Sequence, residues 1–134
     1  MIAVDASSLL GLVLEDEGPA YAEAVLREVA RDGGITPSIF WYEVRNVLLA
    51  GEPRGRVKPA FTDAFLAGLG DLPLKMEPPS ACVGVVALSR RFGLSAYDAA
   101  YLDVADRHGV ALATLDKKLA AAARSLGTVA VFQA

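Results

Sequence analysis

Four acidic residues stand where carboxylates could serve catalysis. Asp5 and Asp116 directly follow short apolar runs, Asp98 lies at the start of a helical pattern, and Glu43 lies beside the apolar stripe of another helical pattern. Carboxylates that converge on one cleft repel each other unless a cation lies between them. With oxygen donors and almost no His or Cys, such a site suits Mg²⁺ or Mn²⁺ rather than zinc. An acid-only divalent site points to phosphoryl chemistry.

Each acid also has a structural explanation. Asp5 and Asp116 can cap the helices that follow them, and the stretch from Ser95 to Asp98 fits a capping box. Glu43 has no capping role in mid-helix, and a partly buried carboxylate needs a partner, a raised pKa or a metal. Asn46, one helical step further along, is expected to hydrogen-bond Glu43 and orient it, although a Glu that extends past the stripe into solvent also fits the pattern.

The elements that would position these acids alternate along the chain. Apolar runs predict strands at 2–4, 35–36, 72–76, 111–115 and 129–132. Helical spacing, capping residues and glycine stops predict helices at 7–14, 19–31, 38–51, 59–69, 78–92, 96–108 and 117–126. This alternation predicts an α/β fold with a mainly parallel sheet, helices on both faces and one domain over residues 1–134. Such sheets bind ligands outside the carboxyl ends of their strands, where Asp5 and Asp116 lie.

Composition narrows the class of protein. The net charge of −3 argues against a general electrostatic grip on nucleic acid, so any contact with nucleic acid must be local or mediated by a metal. One cysteine, Cys82, and an N-terminus without a basic leader predict a cytoplasmic protein without a membrane segment. The 54% apolar composition is high for a small domain and predicts a hydrophobic surface given to a partner, with a homodimer expected.

Three segments of the chain match the pattern of a known family: MIAVDASSLL, WYEVRNVLL and LSAYDAAYLDVADRHGVALATLDKKL. In their order and spacing they resemble the PIN-domain nucleases, most closely the VapC-type toxins of toxin-antitoxin systems. The resemblance covers essentially the whole chain and implies a three-layer α/β/α sandwich around a mainly parallel five-stranded sheet. Carried over position by position, the acidic site of the family becomes Asp5, Glu43, Asp98 and Asp116.

The resemblance also implies an activity: endoribonuclease cleavage that depends on Mg²⁺, or on Mn²⁺, with transfer RNA or ribosomal RNA as frequent substrates and an antitoxin that covers the cleft. Asp5 and Asp98 are the first choices for direct metal ligands. Glu43 is expected to bind the metal or to orient the attacking water, and Asp116 to hold a second, weaker metal or a water-mediated contact. Ser7 and Thr114, which match hydroxyl positions of the family, are expected to orient the ligands together with Asn46.

Cations near these acids are candidates for holding the RNA backbone, although solvated surface charge explains each of them equally well. They are Arg54, Arg56 and Lys58 in the loop GEPRGRVK, which matches the family's basic loop, and Lys117 beside the last acid.

Other polar and aromatic residues are predicted to have structural roles. His108 precedes Gly109 at a helix end, where it complements the helix dipole. Solvated faces are predicted for Asp103, Asp106 and the acidic run 15–17. Packing in the core or at a dimer interface, rather than base stacking, is predicted for the aromatic residues Trp41, Tyr42, Tyr97 and Tyr101.

Three other functions are alternatives for this chain. A phosphatase of the haloacid-dehalogenase type also begins with an apolar strand ending in Asp, but its motif needs a second Asp where this chain has Ser7. A catalytically silent PIN-fold module that binds RNA or protein would be expected to lack one of the four acids. A housekeeping PIN nuclease would keep the acids and have no antitoxin.

Overall fold

The apolar runs form one parallel sheet in the order β3-β2-β1-β4. The computed structural model describes residues 1–14 and 18–134. Its strands are β1 Ile2–Val4, β2 Gly34–Pro37, β3 Leu74–Glu77 and β4 Ala111–Ala113. In register, Ile2 lies between Gly34 and Ala111, and Gly34 in turn pairs with Leu74. The α/β class and the parallel sheet expected from the alternation are confirmed.

Helices occupy most of the rest of the described chain. The α-helices are α1 Ala20–Asp32, α2 Ile39–Gly51, α3 Pro59–Gly70, α4 Val85–Phe92, α5 Ala96–His108 and α6 Lys117–Leu126. Two 3₁₀ segments, Ala6–Leu12 and Pro79–Ala81, follow β1 and β3. The helix expected from residue 7 is therefore a 3₁₀ segment, and the predicted run 15–17 lies outside the described residues.

The direction in which each connection crosses the sheet determines the face on which its helix lies and the position of the site. The connections from β1 to β2 and from β2 to β3 move one way across the sheet, whereas the connection from β3 to β4 returns past both strands. Right-handed crossovers therefore put α1, α2 and α3 on one face and α5 on the other. The order reverses between β1 and β4, and the carboxyl ends of two such strands are where open α/β sheets bind ligands. Asp5 follows β1 and Asp116 follows β4 by three residues.

The core lies on both faces of the central strands. All three residues of β1 are buried, as a parallel strand covered on both sides requires. The largest fully buried side chains include Tyr101, Ile35, Leu48, Leu102, Leu112 and Leu119. Because α5 contributes six buried residues and packs against β1, β2 and β4, it is the helix most firmly tied to the sheet.

The predicted fifth strand is wrong as a full strand. Residues 129–132 make one isolated parallel bridge, between Leu112 and Val131. Leu112 donates its N–H to the Ala130 carbonyl at 2.8 Å and accepts from the Phe132 N–H at 2.8 Å. Pairing ends there because β4 itself stops at Ala113: the next backbone N–H groups bind side chains instead of a neighbouring strand. The described sheet therefore has four strands and a single bridge at its β4 edge.

The predicted helix over 78–92 is also wrong, because it is interrupted between Pro79–Ala81 and α4. The Gly84 N–H donates to Asp103 Oδ1 at 2.9 Å, and an added Cβ at Gly84 would lie 2.4 Å from that oxygen. Asp103 is therefore not solvated as expected but 2% exposed. Arg107 joins it at 2.8 Å and binds Glu77 at the end of β3.

Two smaller expectations concern helix ends. The helix predicted over 38–51 begins at Ile39, and the Ser38 hydroxyl before it makes no capping bond to the described residues of α2. His108 does lie at the C-terminal end of α5, where its Nε2 is 2.5 Å from Glu77 Oε1. No helix in the described ranges has the length and apolar character needed to cross a membrane.

Candidate active site

Asp5 is the most enclosed acid of the site, with 4% exposure. Its Oδ2 accepts hydrogen bonds from Ser7 Oγ at 2.5 Å and from Thr114 Oγ1 at 2.6 Å. Burial raises the pKa of Asp5, while these bonds lower it and the charge of Asp98 raises it further. The expectation that Asp5 caps the following helix is not met, because hydroxyl groups hold its carboxylate and it makes no capping bond to the described 3₁₀ segment.

Thr114 joins the two strand ends. Besides donating to Asp5, its hydroxyl accepts from the Asp116 backbone N–H at 3.0 Å and lies 3.2 Å from Ser7 Oγ. The Leu115 N–H in turn donates to Ser7 Oγ at 3.0 Å. The segment after β4 is therefore fastened to the segment after β1 by hydroxyl groups, which fixes the spacing between the first and last acids.

Glu43 is half-buried on α2, and its Oε1 accepts from the Tyr101 hydroxyl at 3.2 Å. Asn46, expected to orient this carboxylate, is exposed and makes no hydrogen bond to it within the described structure. The partner comes from α5 instead of from the same helix. Burial raises the pKa of Glu43, the charges of Asp5 and Asp98 raise it further, and the Tyr101 bond opposes them.

Asp98 and Asp116 lie at the N-terminal ends of two helices. Ser95 caps α5 by accepting from the Asp98 N–H at 3.1 Å, so Asp98 lies in the first turn with its carboxylate half-buried. Asp116 caps α6 by accepting from the Leu119 N–H at 2.9 Å, as expected. Helix N-termini favour nearby negative charge, which partly offsets the repulsion between the acids.

The four acids are electrostatically linked. Asp5 interacts with Asp98 and with Glu43, Glu43 interacts with Asp98, and Asp98 interacts with Asp116. Burial first, and then the charge of Asp116, raises the pKa of Asp98. Charge effects thus couple four residues that are spread over more than a hundred positions of sequence, and these four residues are called the acidic cluster below.

The chain is similar to known proteins over most of its length. Residues 2–125 match the PIN domain. This chain belongs to the PIN-domain family. It is 31% identical over 90% of its length to Ribonuclease VapC3 of Mycobacterium tuberculosis, covering 86% of that protein. The resemblance to VapC-type sequences drawn from three segments is therefore confirmed.

Solved structures agree on the fold. The crystal structure of PAE2754 from Pyrobaculum aerophilum is similar with a TM-score of 0.69 and 27% identity, over 90% of this chain and 83% of that one. A toxin-antitoxin complex from Klebsiella pneumoniae contains a chain with a TM-score of 0.62 and 21% identity, over 88% of each chain. The PIN-like α/β/α architecture is confirmed, with four strands where five were expected.

The donors of this PIN domain suit a hard divalent cation. Burial raises the pKa of three of its carboxylates, and the negative charge of a neighbouring acid raises each of them further. A bound cation would offset this repulsion between the carboxylates. The accompanying donors are hydroxyl oxygens, with no sulfur or imidazole ligand among the described site residues. No three of the described His, Cys, Asp and Glu side chains already surround one metal position. The cluster is therefore an electrostatic one without a finished coordination sphere.

The predicted RNA-binding residues of the PIN domain are at the surface. Arg54, Arg56 and Lys58 are exposed in the turn after α2, which is tightened by a bond from the Arg56 N–H to the Gly51 carbonyl at 3.0 Å. Lys117 is exposed as well. Its neighbour Lys118 donates to the Gly93 carbonyl at 2.6 Å and lowers the pKa of Asp98.

Tyr101 and Lys118 are the site residues that sequence reasoning missed. Tyr101 was assigned to packing, and it does pack, but its hydroxyl also reaches Glu43. A signal existed, because Tyr101 lies three residues after Asp98 and so one helical turn along the same side. Lys118 carries no comparable sequence signal, since its role depends on how α5 and α6 meet.

Proposed function

We propose that this PIN domain is an endoribonuclease that needs Mg²⁺ or Mn²⁺ and hydrolyses phosphodiester bonds in RNA. The observation that carries the proposal is the buried Asp5 carboxylate after β1, which Thr114 joins to the segment that bears Asp116. The charges of Glu43 and Asp98 couple to this carboxylate. Similarity to a ribonuclease over most of the chain supports nucleic-acid hydrolysis as the reaction class.

Each acid has a separate task in the proposed reaction. Asp5 and Asp98 bind the cation directly; Ser7 and Thr114 hold Asp5 from one oxygen. When bound, a divalent ion polarises the scissile phosphate and activates water. Glu43 binds the same ion or orients the attacking water, and Asp116 supports a second, weaker ion. Since Asp116 already caps α6 through Oδ1, its contact is made from a fixed position.

Backbone contacts to RNA are proposed for Arg54, Arg56, Lys58 and Lys117. Their exposure leaves the charges available to phosphate groups, and a chain with net charge −3 needs such local contacts. A double variant, Arg54→Glu with Arg56→Glu, is expected to bind RNA more weakly and with a shallower salt dependence. Unchanged affinity and slope would remove this loop from the proposal.

We also propose that the protein is the toxin of a toxin-antitoxin pair. We infer transfer RNA or ribosomal RNA as substrate, a protein antitoxin that covers the acidic cluster, a homodimer and a cytoplasmic location. Large exposed apolar side chains, among them Trp41, Tyr42, Val86 and Tyr97, support burial against another chain. Light scattering after size exclusion should give twice the 14.0 kDa mass of one chain; a monomer at high concentration would contradict the dimer.

The test of the activity is cleavage of a mixed small-RNA pool by purified protein with Mg²⁺ or Mn²⁺. Discrete fragments are expected, and they should vanish with EDTA and in Asp98→Asn. Asp106→Asn is the matched control, since Asp106 is an exposed acid on the same helix that binds Thr128. Fragments that persist in Asp98→Asn would contradict the assignment of the site. A protein that binds RNA without cleaving it would be the silent module.

A further inference from the structure

Tyr101 combines complete burial with a polar contact that packing does not require. It lies on α5, is 0% exposed and is among the largest fully buried side chains of the protein. A phenylalanine ring would fill the same space. The hydroxyl, however, donates to Glu43 Oε1 at 3.2 Å across 58 positions of sequence. A buried hydroxyl needs a hydrogen-bond partner, and the Glu43 carboxylate supplies it for Tyr101.

Tyr101 also joins two helices of the site. It lies on α5 three residues after Asp98, and its hydroxyl bonds Glu43 on α2. A phenol can donate a hydrogen bond and a carboxylate accepts one, so the bond runs from Tyr101 to Glu43. Tyr101 therefore links the helix that bears Asp98 to the helix that bears Glu43.

The carboxylate of Glu43 needs a fixed donor because its own helix supplies none within the described residues. Its other oxygen, Oε2, accepts no hydrogen bond from the described chain. A single donor on Oε1 fixes the orientation of the carboxylate while leaving Oε2 free for another ligand. Ligating carboxylates are commonly oriented in this way by hydrogen bonds from neighbouring groups.

We propose that Tyr101 is a positioning residue, which holds Glu43 by Oε1 so that Oε2 faces a divalent cation bound by the acidic cluster. This inference rests on the proposed metal-dependent function, and it adds a residue outside the four acids and their hydroxyl partners Ser7 and Thr114. It also predicts that the effect of Tyr101 is transmitted through Glu43 alone.

The test is Mn²⁺ binding by isothermal titration without RNA, comparing wild type with Tyr101→Phe. The variant is expected to bind Mn²⁺ about tenfold more weakly, within the range seen when groups that orient metal ligands are removed. Tyr42→Phe removes the same atom from a tyrosine that is 66% exposed and should bind as wild type does. Melting temperatures in EDTA verify folding, and a purely structural role of Tyr101 would lower them while leaving Mn²⁺ affinity unchanged.

A double-mutant cycle keeps the inference falsifiable. In a Glu43→Gln background, adding Tyr101→Phe should cause no further loss of Mn²⁺ affinity, because the group being positioned is already altered. Additive losses, or equal affinity of wild type and Tyr101→Phe, would overturn the positioning role while leaving the metal site intact. Wild type that binds no Mn²⁺ would overturn the proposed function and, with it, this inference.

Discussion

Replacing Thr114 by valine tests how strongly the hydroxyl groups hold the acidic site. Thr114 is 5% exposed, and its hydroxyl donates to the Asp5 carboxylate and accepts from the Asp116 N–H. The substitution keeps the shape of the side chain and removes one of the two side-chain hydrogen bonds to Asp5. A hydrogen bond to a charged group contributes about 1.5–3 kcal/mol to stability. Because Ser7 still binds Asp5, we expect the free energy of unfolding to fall by about 2 kcal/mol.

Thr36→Val is the matched control for Thr114→Val. Thr36 is another buried threonine and lies within β2, but its hydroxyl donates to the neutral Val4 carbonyl at 2.7 Å. Losing a neutral bond should cost about 0.5–1.5 kcal/mol. Thr114→Ser, which retains the hydroxyl, should keep most of the wild-type behaviour.

The assay is the melting temperature with EDTA and with excess Mg²⁺. A ligand at 100 times its Kd stabilises the folded state by about 2.7 kcal/mol, and a tenfold loss of affinity reduces this to about 1.4 kcal/mol. Thr114→Val should therefore show a smaller metal-induced rise than wild type, whereas Thr36→Val should show the full rise. Equal destabilisation in EDTA together with equal metal-induced rises in both variants would refute the reasoning.

Four variants test other parts of the structure. Arg107→Ala leaves the buried Asp103 without its ion pair and should cost about 2–3 kcal/mol, since the arginine itself is partly exposed; Arg31→Ala, which breaks two pairs at the surface, should leave the melting temperature nearly unchanged. Burial raises the pKa of Asp98, so its charged form destabilises the metal-free fold. The free energy of unfolding therefore falls as the pH rises from the unfolded pKa of 3.8 through the higher pKa of the folded state. Asp98→Asn should therefore gain stability over wild type in EDTA at pH 7 and not at pH 3, and an equal difference at both would contradict the pKa shift. Gly84→Ala should lower the melting temperature, because its Cβ would meet a carboxylate oxygen at 2.4 Å; an unchanged value would show that the loop yields.

Local sequence patterns predicted the elements well where one segment determines its own structure. Glycines in the left-handed region close α4, α5 and α6 at Gly93, Gly109 and Gly127, and these stops are readable from the sequence. The acid after β1 and the acid before α6 were likewise found because each directly follows an apolar run. Their convergence follows from the parallel alternation of strands and helices.

The predicted elements were wrong where residues distant in sequence determine the local structure. The break before α4 depends on Asp103, nineteen positions away, whose carboxylate occupies the space beside Gly84. An isolated helical pattern could not reveal that carboxylate, and the same periodicity made Asp103 look solvated. Residues 129–132 have the composition of a strand, but their partner β4 ends after three residues and leaves one bridge.

The hydrogen-bond partners of the site acids were likewise predictable when near in sequence and not when distant. Ser7 lies two residues from Asp5, so its contact is local in sequence. Glu43 was expected to have a partner on its own helix, Asn46, but Tyr101 supplies the bond from another helix. A pairing of this kind requires knowledge of how α2 and α5 approach each other, which no periodicity contains.

Metal binding by the acidic cluster is tested most directly by an anomalous-scattering map from crystals grown or soaked with Mn²⁺. We expect a peak at the strand-order reversal with a Glu43 oxygen nearby. It should lie on the order of 2.0–2.3 Å from oxygens of Asp5 and Asp98, the distances at which small divalent cations bind carboxylates. Loss of the peak in Asp5→Asn crystals should accompany loss of RNA cleavage. A peak elsewhere, or no peak at saturating Mn²⁺ in a protein that still cleaves RNA, would show that these acids do not hold the metal.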